Sequence, residues 1–143
     1  MNKIRLLSKE EAIPYNLLLL ADEDLDAINK YIFDCEIYVV EQENKIIAEY
    51  ALQPIDADLV EIKNIAVLAE FQARGIGKSL LRDAVDRARS RGFRAINVGT
   101  GNAATKQLHL YQKEGFKISG VRKNFFVDNY LEPSLRTEKN LKI

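Results

Sequence analysis

Apolar and polar positions recur along this 143-residue chain with periods that change several times. Residues 3–7 alternate as a first strand. Ser8 and Glu11 then stand at capping-box spacing, with Pro14 in a first helical turn. Leu17, Leu18 and Leu20 predict a short apolar helix ending near Ala21. Asp22 or Asp24 can cap a second one, whose Leu25, Ile28 and Ile32 share a face. Residues 35–41 and 45–52 predict a hairpin around Glu43-Asn44. Residues 54–58 are a loop, and the β-branched run 60–67 reads as a buried strand. Ile76, Leu80, Leu81, Ala84, Val85 and Ala88 follow at three- and four-residue spacing. They predict a helix from about residue 75 to 91, with Gly92 as its left-handed cap. Arg82, Asp83, Asp86 and Arg87 mark its solvated face. Beyond it come a strand at 93–98, a turn at 99–101, and a helix at 103–114 capped by Asn102 and closed by Gly115. A strand at 116–121, a loop through Ser134 and a strand at 136–143 complete the chain. This order predicts an α/β fold in which one mixed sheet of six or seven strands is flanked by about four helices, in a single domain spanning 1–143.

Composition narrows the function. Lys plus Arg equals Asp plus Glu, 21 each, so charge makes no case for nucleic acid or a membrane surface as partner. The longest aliphatic run, residues 17–21, is far too short for a bilayer, and the N-terminus lacks a signal-peptide core. The sole cysteine, Cys35, reads as a buried small hydrophobe, which points to a reducing, cytoplasmic compartment. No His, Cys, Asp and Glu cluster has metal-ligand spacing, so no metal is expected. His109, the sole histidine, faces away from Tyr111 by helix spacing and reads as structural or solvated.

The chemistry concentrates at Gln72-Ala73-Arg74-Gly75-Ile76-Gly77-Lys78-Ser79, where a strand hands over to a helix. Glycines there allow a sharp turn that aims free N–H groups at one point. Those donors, the helix dipole, Arg74 and Lys78 suit an anion, with Ser79 as a further phosphate donor. A P-loop would need glycine where Gln72 stands, and a dinucleotide fingerprint would need it at Leu80. Each fails by one residue. The pattern that fits is Gln72-x-x-Gly75-x-Gly77. On it, and on the later run of Asn97 to Asn102 with Leu108, Tyr111 and Gly115-Phe116, the chain resembles the GNAT-type N-acetyltransferase superfamily, most of all its small bacterial members. Residues 68–70, Leu-Ala-Glu, lack the proline often found before the turn in that superfamily.

The resemblance implies acetyl-coenzyme A as cofactor, held at its diphosphate by residues 72–79 and along its pantetheine arm by Asn102. It implies two central strands that splay apart, freeing backbone N–H groups of Ile65, Ala66 and Val67 for the tetrahedral oxyanion. Tyr111 would protonate the departing thiolate. Glu61 is the expected base, with Glu49 as the alternative. Strand parity places Glu61 on the face of Lys63, Ile65 and Val67, opposite Asn64. The acceptor, a small-molecule or peptide amine, would meet Tyr15, Glu49, Phe126, Asn129 and Tyr130. The expected activity is acetyl transfer to a primary amine by direct attack in a ternary complex. The alternative is an acyl-coenzyme A-binding interaction or regulatory module without turnover. A homodimer is compatible with either.

Overall fold

The turn at Glu43-Asn44 has both residues at positive φ, 51° and 65°, the twist that a two-residue hairpin needs. It joins β2 (Glu36–Gln42) to β3 (Lys45–Pro54). These coordinates are a computed structural model that describes residues 3–101, 111–122 and 134–141. One seven-stranded sheet runs through them in the order β1-β2-β3-β4-β5-β7-β6. The other strands are β1 (Ile4–Leu6), β4 (Leu59–Val67), β5 (Ala95–Gly101), β6 (Lys117–Arg122) and β7 (Ser134–Asn140). All neighbours pair antiparallel except β4 and β5, which run parallel.

Two helices, α1 (Tyr15–Ala21) and α2 (Leu25–Tyr31), cover one face, and α3 (Ile76–Ser90) covers the other. Alternation sorts the strands accordingly. Tyr38, Tyr50, Leu52, Val60 and Ile62 join the core beneath α3, and Ile37, Val39 and Ala51 join Leu18, Ile28 and Tyr31 beneath α1 and α2. The buried residues of α3 are the six that periodicity selects. Burying each larger aliphatic among them contributes about 1.5–3 kcal/mol. Gly92 follows at φ +88° as the expected left-handed residue.

Four expectations are corrected. Ser8 and Glu11 close a turn, with the Ser8 N–H donating to Glu11 Oε1 at 2.9 Å, while α1 begins only after Pro14. Residues 99–101 are strand, paired with Ser134 to Arg136 of β7. That also starts the last strand at Ser134, inside the expected loop. Glycines in a strand leave room for another chain or a ligand to come close, a use distinct from turning. Asp83 and Arg87 are not simply solvated: Tyr50 Oη donates to Asp83 at 2.6 Å, Arg87 Nε donates to the same oxygen at 2.7 Å, and the guanidinium lies 4.4 Å over the Tyr38 ring. They border the apolar stripe closely enough to meet the tyrosines of β2 and β3.

The fourth concerns β4. Ala51 pairs with Asn64 but Leu52 pairs with Ile62, so Lys63 is an extra residue and the strand carries a bulge there. Parity inverts across it. Glu61 and Asn64 both face α1 and α2, while Ile65 and Val67 turn to the α3 side.

The clamp of Tyr50, Asp83 and Arg87 fixes α3 to the sheet. Asp83→Ala should lower stability by about 2 kcal/mol, since it leaves a buried tyrosine hydroxyl and an arginine without their acceptor. Urea denaturation reads this as a lower midpoint at unchanged slope.

Candidate functional site

Pairing between β4 and β5 covers only Leu59 to Ile62 against Ala95 to Val98. Both strands continue, β4 to Val67 and β5 to Gly101, without bonding each other. On its other edge β4 stays paired to β3 as far as Val67 with Ala48, and Leu68 N–H donates to Ile47 O at 2.9 Å. Antiparallel bonding repeats every second residue. The N–H groups of Asn64 and Ala66 therefore face β3, and those of Ile65 and Val67 face the gap.

The chain then enters the glycine turn. A short 3-10 turn, Ala69–Phe71, stands where the proline is missing. The amide of Gln72 reaches back to Val67 O at 3.0 Å. Ala73, at φ +63°, and Gly75, at φ +81°, are both left-handed, a conformation that costs a non-glycine residue of order 1 kcal/mol or more and gathers at ligand sites. Gly75 is the N-cap of α3 and has no side chain to satisfy the first turn. The N–H groups of Gly75, Ile76, Gly77 and Lys78 are orphans of the helix start, and the bond from Ser79 N–H to Gly75 O is the first of the helix. Ile76 is buried in the core and anchors the turn. Arg74 lies over the Phe71 ring at 5.3 Å and is exposed, as is Lys78. The hydroxyl of Ser79 donates to Gly75 O at 3.1 Å, so its one proton is spent within the helix. Clustered orphan N–H groups, the positive helix end and two cations fit a diphosphate.

Residues 111–113 are helical, and the chain turns behind them at Gly115, φ +94°. Tyr111 is buried against Phe116, ring centroids 6.1 Å apart. Burial, and then the nearby Glu49 charge, hold its phenol well above the ordinary tyrosine range. Arg82 Nε bonds Glu114 at 2.8 Å and Lys139 Nζ bonds the Glu114 carbonyl at 2.7 Å, tying this helix end to α3 and β7.

The two candidate bases share one face of the sheet but have opposite surroundings. Glu61 is 3% exposed and pairs with Lys63 Nζ at 3.0 Å. Glu49 is fully buried, opposite Val39 and Ala66, and among the described residues neither carboxylate oxygen has a hydrogen-bond partner. Desolvation therefore raises its pKa well above the ordinary glutamate value. Tyr15, at the start of α1, donates to Asn29 Oδ1 at 2.7 Å. Cys35 is half-buried, its thiol donates to Tyr31 O at 3.3 Å, and burial pushes its pKa up to about 12. Asn102, His109, Phe126, Asn129 and Tyr130 lie outside the described residues. Asn64, which the sequence reading did not single out, is buried on the Glu49 face. Its Nδ2 donates to Leu18 O at 3.0 Å and to Tyr31 Oη at 3.1 Å. Its one signal was to be a third polar residue, after Glu61 and Lys63, in a β-branched strand.

Among the described residues no group of three or more His, Cys, Asp or Glu is placed to hold a metal. No helix among them is long and apolar enough to cross a membrane.

Residues 33–118 match the family model of the acetyltransferase (GNAT) domain. Over 134 residues the chain is 39% identical to an uncharacterized N-acetyltransferase of Bacillus subtilis, YvbK, covering 92% of this chain and 86% of that one. A solved GNAT family acetyltransferase from Elizabethkingia anophelis, with acetyl-CoA bound, aligns with a TM-score of 0.91 at 40% identity over 97% of each chain. An acetyltransferase of Bacillus subtilis in complex with CoA aligns at 0.85 with 33% identity, over 99% of this chain and 100% of that one.

The state of Glu49 has a consequence for stability. Its folded-state pKa lies above its unfolded value, so between the ordinary value of 4.5 and that raised pKa unfolding releases the proton. The contribution of the neutral carboxyl is complete below the unfolded pKa and declines as pH rises through this window. Glu49→Gln removes the titration. As pH rises above the ordinary value of 4.5 its melting temperature should gain on that of the parent, and parallel curves would show a Glu49 that titrates normally.

Proposed function

This chain belongs to the GNAT acetyltransferase family, and on that footing we propose that it transfers an acetyl group from acetyl-coenzyme A to a primary amine by direct attack within a ternary complex. The observation that carries the reading is the open edge of β4, with the N–H groups of Ile65 and Val67 facing a gap that leads into the anion-binding turn. Acetyl-coenzyme A supplies the activated acetyl thioester.

The turn from Gln72 to Lys78 would hold the diphosphate through its orphan N–H groups, Arg74 and Lys78, with Asn102 on the pantetheine arm. Ser79 serves by closing the first helical bond, because its hydroxyl is already committed. The N–H groups of Ile65 and Val67 would receive the oxyanion as charge develops there. Donors fixed in advance need no reorganisation, which makes such sites effective. Ala66 keeps the strand seated on β3 between them.

Glu49 is the base in this reading. Desolvation raises the basicity of Glu49, which has no partner among the described residues, whereas Glu61 is already engaged by Lys63. Glu49 takes a proton from the amine nitrogen, and Tyr111 gives one to the sulfur. Starting from the neutral amine, one proton leaves nitrogen and one arrives at sulfur, so amide and free thiol form in balance. An amine that arrives as ammonium first loses its extra proton to solvent. Tyr111 is a weak acid here, but a thiolate leaving within the same apolar slot is correspondingly more basic. Tyr15, Phe126, Asn129 and Tyr130 remain candidates for contacting the rest of the acceptor, a small molecule or a peptide end.

Acetyl-coenzyme A and coenzyme A should each raise the melting temperature, by up to about 2.7 kcal/mol of added stability at a hundredfold excess over Kd, while ATP and NAD should not. An amine screen that reads released thiol should find turnover whose rate rises with pH through the raised pKa of Glu49. Glu49→Gln should lose about 10²- to 10³-fold in kcat and Tyr111→Phe about 10²-fold, both still binding the coenzyme, with Glu61→Gln within about tenfold of the parent. Binding without turnover across the whole panel would make this a coenzyme-binding module instead. Loss of the coenzyme A shift would remove the basis of the site.

A further inference from the structure

Three buried acceptor atoms lack a donor among the described residues: both carboxylate oxygens of Glu49 and Oδ1 of Asn64. They lie on one face of the sheet. Glu49 pairs with Ala66 and Asn64 with Ala51, so the two side chains are diagonal cross-strand neighbours, within reach of a shared small group. The bulge at Lys63 creates this juxtaposition, because regular pleating would point Asn64 to the α3 side.

Asn64 cannot answer the need of Glu49 itself. Both protons of its amide are spent, one on Leu18 O at 3.0 Å and one on Tyr31 Oη at 3.1 Å, and these bonds fix which atom is the oxygen. Tyr31 Oη in turn donates to Asp22 Oδ2 at 3.3 Å. Lys63, on the same side, is held by Glu61. The fold has thus set three acceptors together, and no donor among the described residues reaches them. What completes such an arrangement is a group carrying N–H donors and positive charge.

We propose that Glu49 and Asn64 form a three-acceptor seat for the ammonium group of the acetyl acceptor, matching three oxygens to the three N–H groups of a primary amine. The proposal rests on the transferase reading above and deepens it, since it makes Asn64 a specificity-determining residue. Neutral Oδ1 accepts a hydrogen bond without adding charge, and an incoming cation favours the ionised form of the buried Glu49, so one cation meets one anion. The seat selects by the number of N–H groups. Each methyl placed on nitrogen removes one donor and strands one acceptor, while the positive charge stays the same.

The test measures binding rather than turnover. Phenethylamine, cadaverine and alanine amide, each with its N-methyl, N,N-dimethyl and N,N,N-trimethyl forms, are titrated calorimetrically into the protein saturated with desacetyl coenzyme A. For the best-binding skeleton, affinity should fall on the order of tenfold with the first methyl and again with the next. In Asn64→Leu, similar in size but without the oxygen, the primary amine should weaken by about tenfold while the first methyl costs almost nothing further. A merely structural Asn64 would weaken the whole series in parallel, and that outcome overturns the proposal. If Asn64→Leu fails to fold, the wild-type series still decides, because equal affinity across the first two members is incompatible with a seat that counts N–H groups. Failure of all three primary amines to bind also overturns it. The outcomes separate from those of the transferase reading. Turnover with a flat methyl series removes the seat and leaves the enzyme, whereas no coenzyme A binding at all removes both.

Discussion

Everything about the site follows from two strands that stop bonding each other halfway. β4 and β5 share four residue pairs and then part, although each continues. A backbone that gives up ladder bonds in the middle of a sheet normally closes up again, because unpaired N–H groups are costly. Here each strand is secured from its far side. β4 is bonded to β3 up to Val67, and β5 to β7 up to Gly101. Each half of the sheet satisfies its own strands, and among the described residues the N–H groups of Ile65 and Val67 face the gap rather than a partner strand. On one side, the Tyr50, Asp83 and Arg87 contacts hold α3 against β3 and β2. On the other, Arg82 and Lys139 reach the helix end at Glu114. The gap is therefore a property of how the two halves are braced.

Much of this was legible in the chain. The six apolar positions of α3 state its buried face outright, Glu43-Asn44 announces its turn, and Gly75 marks the left-handed turn that opens α3. These signals are local, carried by periodicity and by φ demands that few residues meet. The misread stretches depend on partners distant in sequence. Gly99-Thr100-Gly101 has turn composition, yet β7 arrives to pair with it and makes it strand. Asp83 and Arg87 have surface composition, yet the tyrosines of β2 and β3 arrive to meet them. Ser8 and Glu11 make a real bond of the capping type in a turn that closes before α1 begins at Tyr15.

The bulge at Lys63 was the least legible feature and changes the site most. Nothing in Ile62-Lys63-Asn64 announces it, because a bulge belongs to a register between two strands. Its effect is to bring Glu61 and Asn64 onto the side already occupied by Glu49, and to turn Ile65 and Val67 toward the core under α3. A parity argument from sequence alone reaches the opposite arrangement with sound logic. It simply lacks the one extra residue.

That side of the sheet then holds two carboxylates treated in opposite ways. Glu61 is neutralised within the fold by the very residue that bulges, at 3.0 Å. Glu49 is buried with no such help, and the residue diagonal to it is an amide whose donors point elsewhere. An aspartate at 64 would have put a second anion beside Glu49 and opposed ionisation of both. A lysine there would have neutralised Glu49 as Lys63 does Glu61. Asparagine does neither, since it adds an acceptor and leaves the charge of Glu49 uncompensated. One carboxylate on this face is thus paired within two residues, while among the described residues its neighbour is buried without a partner.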